Sequence, residues 1–273
     1  MISAGVERDF AMADGLRIAY ESSGSGRPAL VLIPGSFEDR SYFAPLAARL
    51  ASSRQVVAMD LRGQGESDAP DTVKLAEYER DVIAVMEAVA ADGVVLCGHS
   101  ASGAVALEVA SARPDLVRGL AMIDGGIAFV PEAVHQQVAS SLLPALVGPH
   151  WRDALKAFFE RGIDAADPPE IRERVMADID RWRPELARTF FADLYGDAFT
   201  ARQAAHSDLL ARLDCPVLYV HAKVPADLQK LQQLRPDLLL GQVVGSGHYV
   251  MLTAIDQLTA MLERFLEVVD RQP

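Results

Sequence analysis

Cysteine is scarce in this chain: 273 residues contain two, Cys97 and Cys215. A pair cannot build a disulfide framework or a thiolate metal cluster. Each lies beside an apolar, strand-like run, so both are expected as buried thiols. No apolar stretch approaches the roughly 20 residues that cross a bilayer. The opening MISAGVERDF lacks the charged-then-apolar layout of a signal peptide. These absences predict a soluble protein of a reducing cytoplasm. Basic residues are also short, since 26 Lys and Arg against 38 Asp and Glu leave a net charge of −12. Nucleic-acid binders carry a basic stripe and peripheral membrane proteins a basic patch. Neither nucleic acid nor a membrane is therefore an expected partner, and a small molecule is. No His, Cys or carboxylate cluster has metal-ligand spacing, and the glycines between Asp60 and Ser67 do not form a phosphate loop. Neither a metal nor another cofactor is expected. Internal repeats and low-complexity tracts are missing too.

What the chain does have is a globular composition, 50% hydrophobic and 23% charged, which excludes disorder. Short Val-, Leu- and Ile-rich runs alternate with helical patterns. The expected strands are Ala29–Ile33, Gln55–Met59, Val94–Cys97, Leu120–Ile123, Val217–Val220 and Gln242–Val244. They do not alternate with polar residues, which is how strands covered on both faces read. Apolar residues recur at helical spacing between Lys74 and Ala91 (Leu75, Tyr78, Val82, Val85, Val89) and near the C-terminus (Ile255, Leu258, Leu262, Phe265, Val269). The pattern predicts an α/β protein with a doubly wound, mostly parallel sheet.

The alternation breaks between Ile127 and Asp214. Prolines 131, 144, 149, 168, 169 and 184 divide that stretch into short helical segments. We read residues 127–214 as a helical cap inserted into a core domain formed by residues 1–126 and 215–273. The aromatics Trp151, Phe158, Phe159, Trp182, Phe190 and Phe191 are expected to form a packing core within the cap or to line a pocket. Met176 and Met251 are further candidates for pocket lining.

The segment from Val94 to Gly103 reads VVLCGHSASG and runs into the helical Ala104–Ala112. A strand, a tight turn holding a serine, then a helix is the layout that projects a hydroxyl for nucleophilic attack. Small neighbours are needed there, and Gly98 and Ser102 flank Ser100 at the two tight positions. Glycine is usual at both, so Ser102 is a departure. A serine hydroxyl needs a base. Of six histidines, only His248 follows a late strand in a glycine-rich turn, Gly245-Ser246-Gly247-His248. In a doubly wound sheet that edge is shared with Ser100. His99 is expected to point away along the turn, and His135, His150 and His206 to serve solvated or structural roles in the cap.

Four motifs in order, Ile33-Pro34-Gly35-Ser36, Asp60–Ser67 (DLRGQGES), Gly98–Gly103 and Gly247-His248, make the whole chain resemble the α/β-hydrolase superfamily. The resemblance implies Ser100 as nucleophile and His248 as general base and then acid. It places the oxyanion hole at the backbone N–H groups of Ser36 and Ala101. Pro34 stands where relatives commonly have histidine, which leaves backbone donors unaffected. Asp60–Ser67 looks like a structural turn. The triad's acid commonly follows the penultimate strand, near Val224 or Pro225, where this chain has no carboxylate. Asp124, at a strand end before two glycines, is the expected acid. Asp227 is the alternative, and its bland role is to cap the helix that follows.

The expected function is a serine hydrolase that cleaves a carboxylic ester, lactones included, of a neutral, moderately hydrophobic small molecule through an acyl-enzyme. Serine at position 100 disfavours the aspartate-dependent dehalogenase and epoxide-hydrolase branches. Carbon–carbon bond hydrolysis, perhydrolysis and a slow-turnover ligand receptor stay open beside it. The sheet domain is expected to carry the chemistry and the cap to supply walls.

Overall fold

The computed structural model describes residues 5–89, 93–125 and 129–272. Its centre is an eight-stranded sheet of β1 (Glu7–Ala13), β2 (Leu16–Ser23), β3 (Ala29–Ile33), β4 (Val56–Met59), β5 (Val94–His99), β6 (Val117–Ile123), β7 (Val217–His221) and β8 (Leu239–Gln242). The spatial order is β1-β2-β4-β3-β5-β6-β7-β8, with β1 and β2 antiparallel and all pairs from β4 to β8 parallel. Continuous apolar runs gave the interior strands because both faces are covered: Leu30, Val31, Leu32, Val94, Val95, Leu96 and Cys97 are fully buried. The last strand lies at Leu239–Gln242 rather than Gln242–Val244, since this edge strand is half-exposed and carries a weak pattern.

The β1–β2 hairpin lies outside the strands expected from the sequence. Its outer strand is exposed along most of its length, so it shows no apolar run. The missed signal is Asp14-Gly15, both with positive φ (52° and 81°), the pairing that a tight two-residue hairpin turn demands.

Helices α2 (Leu75–Val89) and α3 (Ser102–Ala112) pack together on one side of the sheet; α1 (Ala44–Leu50) and α11 (Ile255–Val269) pack together on the other. Between β6 and β7 comes an insertion of five helices, α4 (Glu132–Ala145), α5 (Trp151–Glu160), α6 (Pro169–Arg181), α7 (Pro184–Tyr195) and α8 (Phe199–Arg212). Pro169 and Pro184 occupy first helical positions, where a missing N–H costs nothing. The expected lower boundary of the insertion, at Gly126 and Ile127, lies outside the described residues. The upper one falls between α8 and β7. Phe37, from the loop after β3, reaches into the insertion, with ring centroids 4.1 Å from Trp182 and 5.2 Å from Phe159. The chain is completed by α9 (Leu228–Leu234) and α10 (Val250–Thr253). Among the described residues no helix is long and apolar enough to cross a membrane.

The Asp60–Ser67 turn is held by buried charge. Arg62, 2% exposed, donates from Nε and Nη2 to Asp81 Oδ1 at 2.9 and 2.6 Å, while its backbone N–H donates to Oδ2 at 2.9 Å. Asp60 pairs with Arg40 and accepts the Glu66 amide at 2.9 Å. Replacing Arg62 by Met, which keeps the volume but strands Asp81, is expected to cost about 3–5 kcal/mol of stability in urea unfolding. A loss below about 1 kcal/mol, the range of an exposed pair, would show that the ion pair does not hold this turn.

Candidate active site

β5 runs into the turn at full burial and hands the chain to α3 through Ser100, whose φ is +55°. Left-handed backbone is costly for a serine. Its surroundings hold it: the Ser100 amide donates to Ile123 O at 2.9 Å, and the Gly103 amide donates to Ser100 O at 3.1 Å. A Cβ on Gly98 would lie 2.2 Å from the Ser102 carbonyl oxygen, and one on Gly125 2.4 Å from the Ser100 Cα, so neither position admits a side chain. Ser102 explains its own departure from glycine. Its buried hydroxyl donates to Pro34 O at 2.5 Å and ties the start of α3 to the loop after β3.

Asp124 closes β6 at φ +42° and is fully buried. Its Oδ1 accepts the amides of Ala222 and Lys223 at 2.7 and 2.9 Å, and its Oδ2 accepts that of Val224 at 3.1 Å. His248 Nδ1 lies 2.8 Å from Oδ2. Burial works to raise the Asp124 pKa, but the bond and charge of His248 and the loop amides overcome it, leaving the carboxyl below the ordinary aspartate value. An ionised carboxylate only accepts, so the proton of the pair sits on Nδ1. Asp227, by contrast, caps α9 by accepting the Lys230 amide at 2.9 Å and does not reach His248. The structure thus brings His248 together with Asp124 and leaves Asp227 in its bland role.

The backbone of His248 is gripped from both sides. Its N–H donates to Gly162 O at 2.6 Å, and its carbonyl faces His99 Nε2 at 2.9 Å. His99 turns away from the cavity, as its place in the turn predicts, but it is not idle. Its Nδ1 lies 2.8 Å from Glu38 Oε1, and Glu38 Oε2 accepts the Gly35 amide at 2.6 Å. A carbonyl and a carboxylate both accept, so each ring nitrogen carries a proton. Burial alone would lower the His99 pKa; Glu38 outweighs it and raises it. Glu38 and His99 were not legible in the sequence, because the pair is 61 positions apart and belongs to no local pattern.

Ser100, His248 and Asp124 line one cavity of about 340 Å³, together with Ser36 and Ala101. Among the described residues the amides of Ser36 and Ala101 have no partner within the protein, which leaves both N–H groups for a ligand. No direct hydrogen bond joins Ser100 Oγ to His248, although both face the same space; such bonds commonly tighten only around substrate. The insertion supplies apolar walls from Val134, Val138, Phe158, Phe159, Phe191 and Leu194, and the loop after β7 adds Val224 and Pro225. Trp151, Trp182 and Phe190 are instead buried away from the cavity, Trp182 against Phe37 and Phe190 against Tyr78 of α2, and Met176 and Met251 do not line the cavity. His206 pairs with Glu108, and His135 stacks on Phe199 at 3.6 Å. A more open groove of about 890 Å³ lies at the opposite end of the strands, lined by Val117 at the start of β6 and by Pro28 and Pro216 just before β3 and β7, and no histidine lines it. Among the described residues no group of three His, Cys, Asp or Glu side chains is placed to hold a metal ion.

Residues 30–261 match the model of the alpha/beta hydrolase family. The chain belongs to that family. Over 246 residues it is 29% identical to 2-(acetamidomethylene)succinate hydrolase of Mesorhizobium japonicum, covering 86% of each chain. Among solved structures it is similar to the esterase EaEST of Exiguobacterium antarcticum, with a TM-score of 0.81, 20% identity and coverage of 96% of this chain and 100% of that one. It is also similar to Est816, described as an N-acyl homoserine lactone degrading enzyme, with a TM-score of 0.80, 22% identity and coverage of 94% and 100%. At such identities the structural likeness speaks for the fold.

The lowered pKa of Asp124 carries a stability prediction. A carboxyl whose pKa is depressed in the folded state stabilises it above the ordinary range, and that contribution fades as pH falls through the depressed value. Asp124→Asn should therefore be less stable than wild type near neutrality, with the gap narrowing below pH 3.8, the ordinary aspartate value. Urea unfolding across pH measures it, and a gap independent of pH would mean that the negative charge is not what the amides and His248 hold.

Proposed function

We propose that this alpha/beta hydrolase cleaves a carboxylic ester, lactones included, through an acyl-enzyme on Ser100. The observation that carries the reading is the buried Asp124–His248 hydrogen bond of 2.8 Å, formed at the wall of the cavity that Ser100 enters from a strained turn. With Nδ1 protonated and held by Asp124, His248 Nε2 is free to take the hydroxyl proton as Ser100 Oγ bonds to the substrate carbonyl carbon. The carbonyl π pair moves onto oxygen, and the amides of Ser36 and Ala101 receive the resulting oxyanion. Collapse expels the alcohol oxygen, which takes its proton from His248. Water, deprotonated by the same nitrogen, then attacks the acyl-enzyme and releases acid and serine. In a lactone both products are one molecule. The insertion acts in this reading as a cap whose aromatic walls select moderately hydrophobic acyl or aryl groups.

One observation favours a second reading of the substrate. Arg161 and Lys223 both line the cavity of a chain whose net charge is −12, and Arg161 has no ion-pair partner among the described residues. The Mesorhizobium relative is named for an acetamido-bearing succinate. A carboxylate-bearing ester or amide is the substrate class that this cation would select over a neutral one. Paired neutral and carboxylate-bearing esters distinguish the two, since the charge preference should collapse in Arg161→Gln only under the second reading.

Ser100→Ala is expected to remain folded and lose hydrolysis by several orders of magnitude. Wild type should label at Ser100 with a fluorophosphonate, and a folded, unlabelled protein would favour a ligand receptor instead. Asp124→Asn should lower the rate by roughly three to four orders of magnitude. Asp227→Asn should cost about 1 kcal/mol of stability or less and keep most activity. The opposite pairing of those two results would transfer the acid to Asp227.

A further inference from the structure

The insertion does more than enclose substrate. Between α5 and α6 its chain passes through residues 161–168, and this loop lies backbone to backbone against the loop that carries His248. The His248 N–H donates to Gly162 O at 2.6 Å, and the Gly247 N–H donates to Asp167 Oδ1 at 2.9 Å. The other oxygen of Asp167 accepts the Asp164 amide at 2.8 Å, so one carboxylate bridges its own loop and the histidine loop. The fit leaves no slack. A Cβ on Gly247 would lie 2.3 Å from Asp167 Oδ2 and 2.5 Å from Gly162 O, and one on Gly162 3.1 Å from the His248 Cβ. Asp167 is 9% exposed and, among the described residues, has no cation within ion-pair distance, so its charge is met by amides. A third tie runs from Asp164 to Lys223 at 2.9 Å, and the Lys223 amide is one of those that hold Asp124.

We infer that Asp167 is a positioning residue for His248: through Gly247 and the Gly162 contact, the α5–α6 loop sets the imidazole between Asp124 and Ser100. The inference rests on the reading of His248 as the base. A buried carboxylate directed at a main-chain N–H one residue before that base fixes the backbone from which the ring projects. Asp167 is not itself among the residues that line the cavity, so removing it loosens the histidine loop without deleting a wall, and orientation suffers more than substrate affinity. Misplacement of a catalytic group by about 1 Å can cost on the order of a hundredfold.

Asp167→Ala and Asp167→Asn are compared with wild type and Ser100→Ala, using para-nitrophenyl butyrate for turnover and a fluorophosphonate to count active Ser100 and time its labelling. The expected result for Asp167→Ala is a kcat per labelled site lower by about tenfold to a hundredfold, with KM within about twofold and labelling slowed in parallel. Asn keeps one carbonyl oxygen for the Gly247 N–H, and should recover a substantial part of the loss. A merely structural role would reduce the number of labelled sites and leave the rate per site unchanged, and that result overturns the inference. If the Ala variant does not fold, Asp167→Leu, which keeps a similar shape but offers no acceptor, decides by the same split: reduced kcat per site at constant KM supports the role, and wild-type kcat per site rejects it. Hydrolysis surviving in Ser100→Ala would instead overturn the serine-hydrolase reading itself, whereas an inactive Ser100→Ala beside a fully active Asp167→Ala rejects only the positioning role.

Discussion

The Asp124 carboxylate is the point at which three separate parts of the chain meet. It terminates β6, draws in three amides from the loop after β7, and accepts the Nδ1 proton of His248 from the loop after β8. A buried carboxylate without such donors would protonate or cost several kcal/mol. Here four N–H groups converge on two oxygens, so the ionised form prevails over burial. The interaction therefore fixes more than an imidazole tautomer. It holds the C-terminal ends of β6 and β7 and the β8 loop in one arrangement, and the cavity is the space this arrangement leaves above Ser100.

That arrangement concentrates backbone strain where the chemistry is proposed. Four non-glycine residues in the described structure have positive φ; Asp14 belongs to the hairpin turn, while Phe37, Ser100 and Asp124 belong to the three loops around the cavity. Each such conformation costs on the order of 1–3 kcal/mol and persists only where its surroundings over-determine it. For Ser100 the surroundings are Gly98 and Gly125, whose missing side chains let neighbouring backbone close in. For Phe37 they are the rings of Trp182, Phe159 and Phe191, which accept its side chain into the insertion. Glu38 follows immediately, and its bonds to Gly35 and His99 tie the same loop to the carbonyl of His248. The loop offering the Ser36 amide and the loop offering the imidazole are consequently braced by one buried ion pair.

Much of this was legible in the sequence wherever the signal is local. The five interior parallel strands are unbroken apolar runs because helices cover both faces. The serine turn and the His248 turn are short, glycine-bearing motifs next to such strands. Asp124 could be preferred over Asp227 because a strand end offers no helix to cap. The edge hairpin escaped because half-exposed strands lack those runs, and its Asp14-Gly15 turn was the one local clue. Glu38 with His99, and Asp167 with Gly247, had no local clue as pairs, being 61 and 80 positions apart: His99 and Gly247 lie in the motifs, but Glu38 and Asp167 read as ordinary loop residues. Contacts between an inserted loop and a sheet-edge loop leave no periodic trace, so the bonds between the α5–α6 loop and the His248 loop are not legible in the sequence.

The proposed placement of the acid at the end of β6 also changes what the loop after β7 must do. In the commoner layout that loop supplies a carboxylate, and its side chains are committed to the imidazole. In this chain the residues at 222–224 contribute only backbone N–H groups, which any residue other than proline can donate. The side chains of Val224 and Pro225 are released to line the cavity, and that of Lys223 to hold Asp164 of the insertion. Substitutions there can reshape the substrate space while the amides still hold Asp124, provided the backbone path is kept. The β7 loop is thus a place where specificity can vary independently of the proposed triad, whereas the α5–α6 loop, bonded to the backbone of His248 itself, is not.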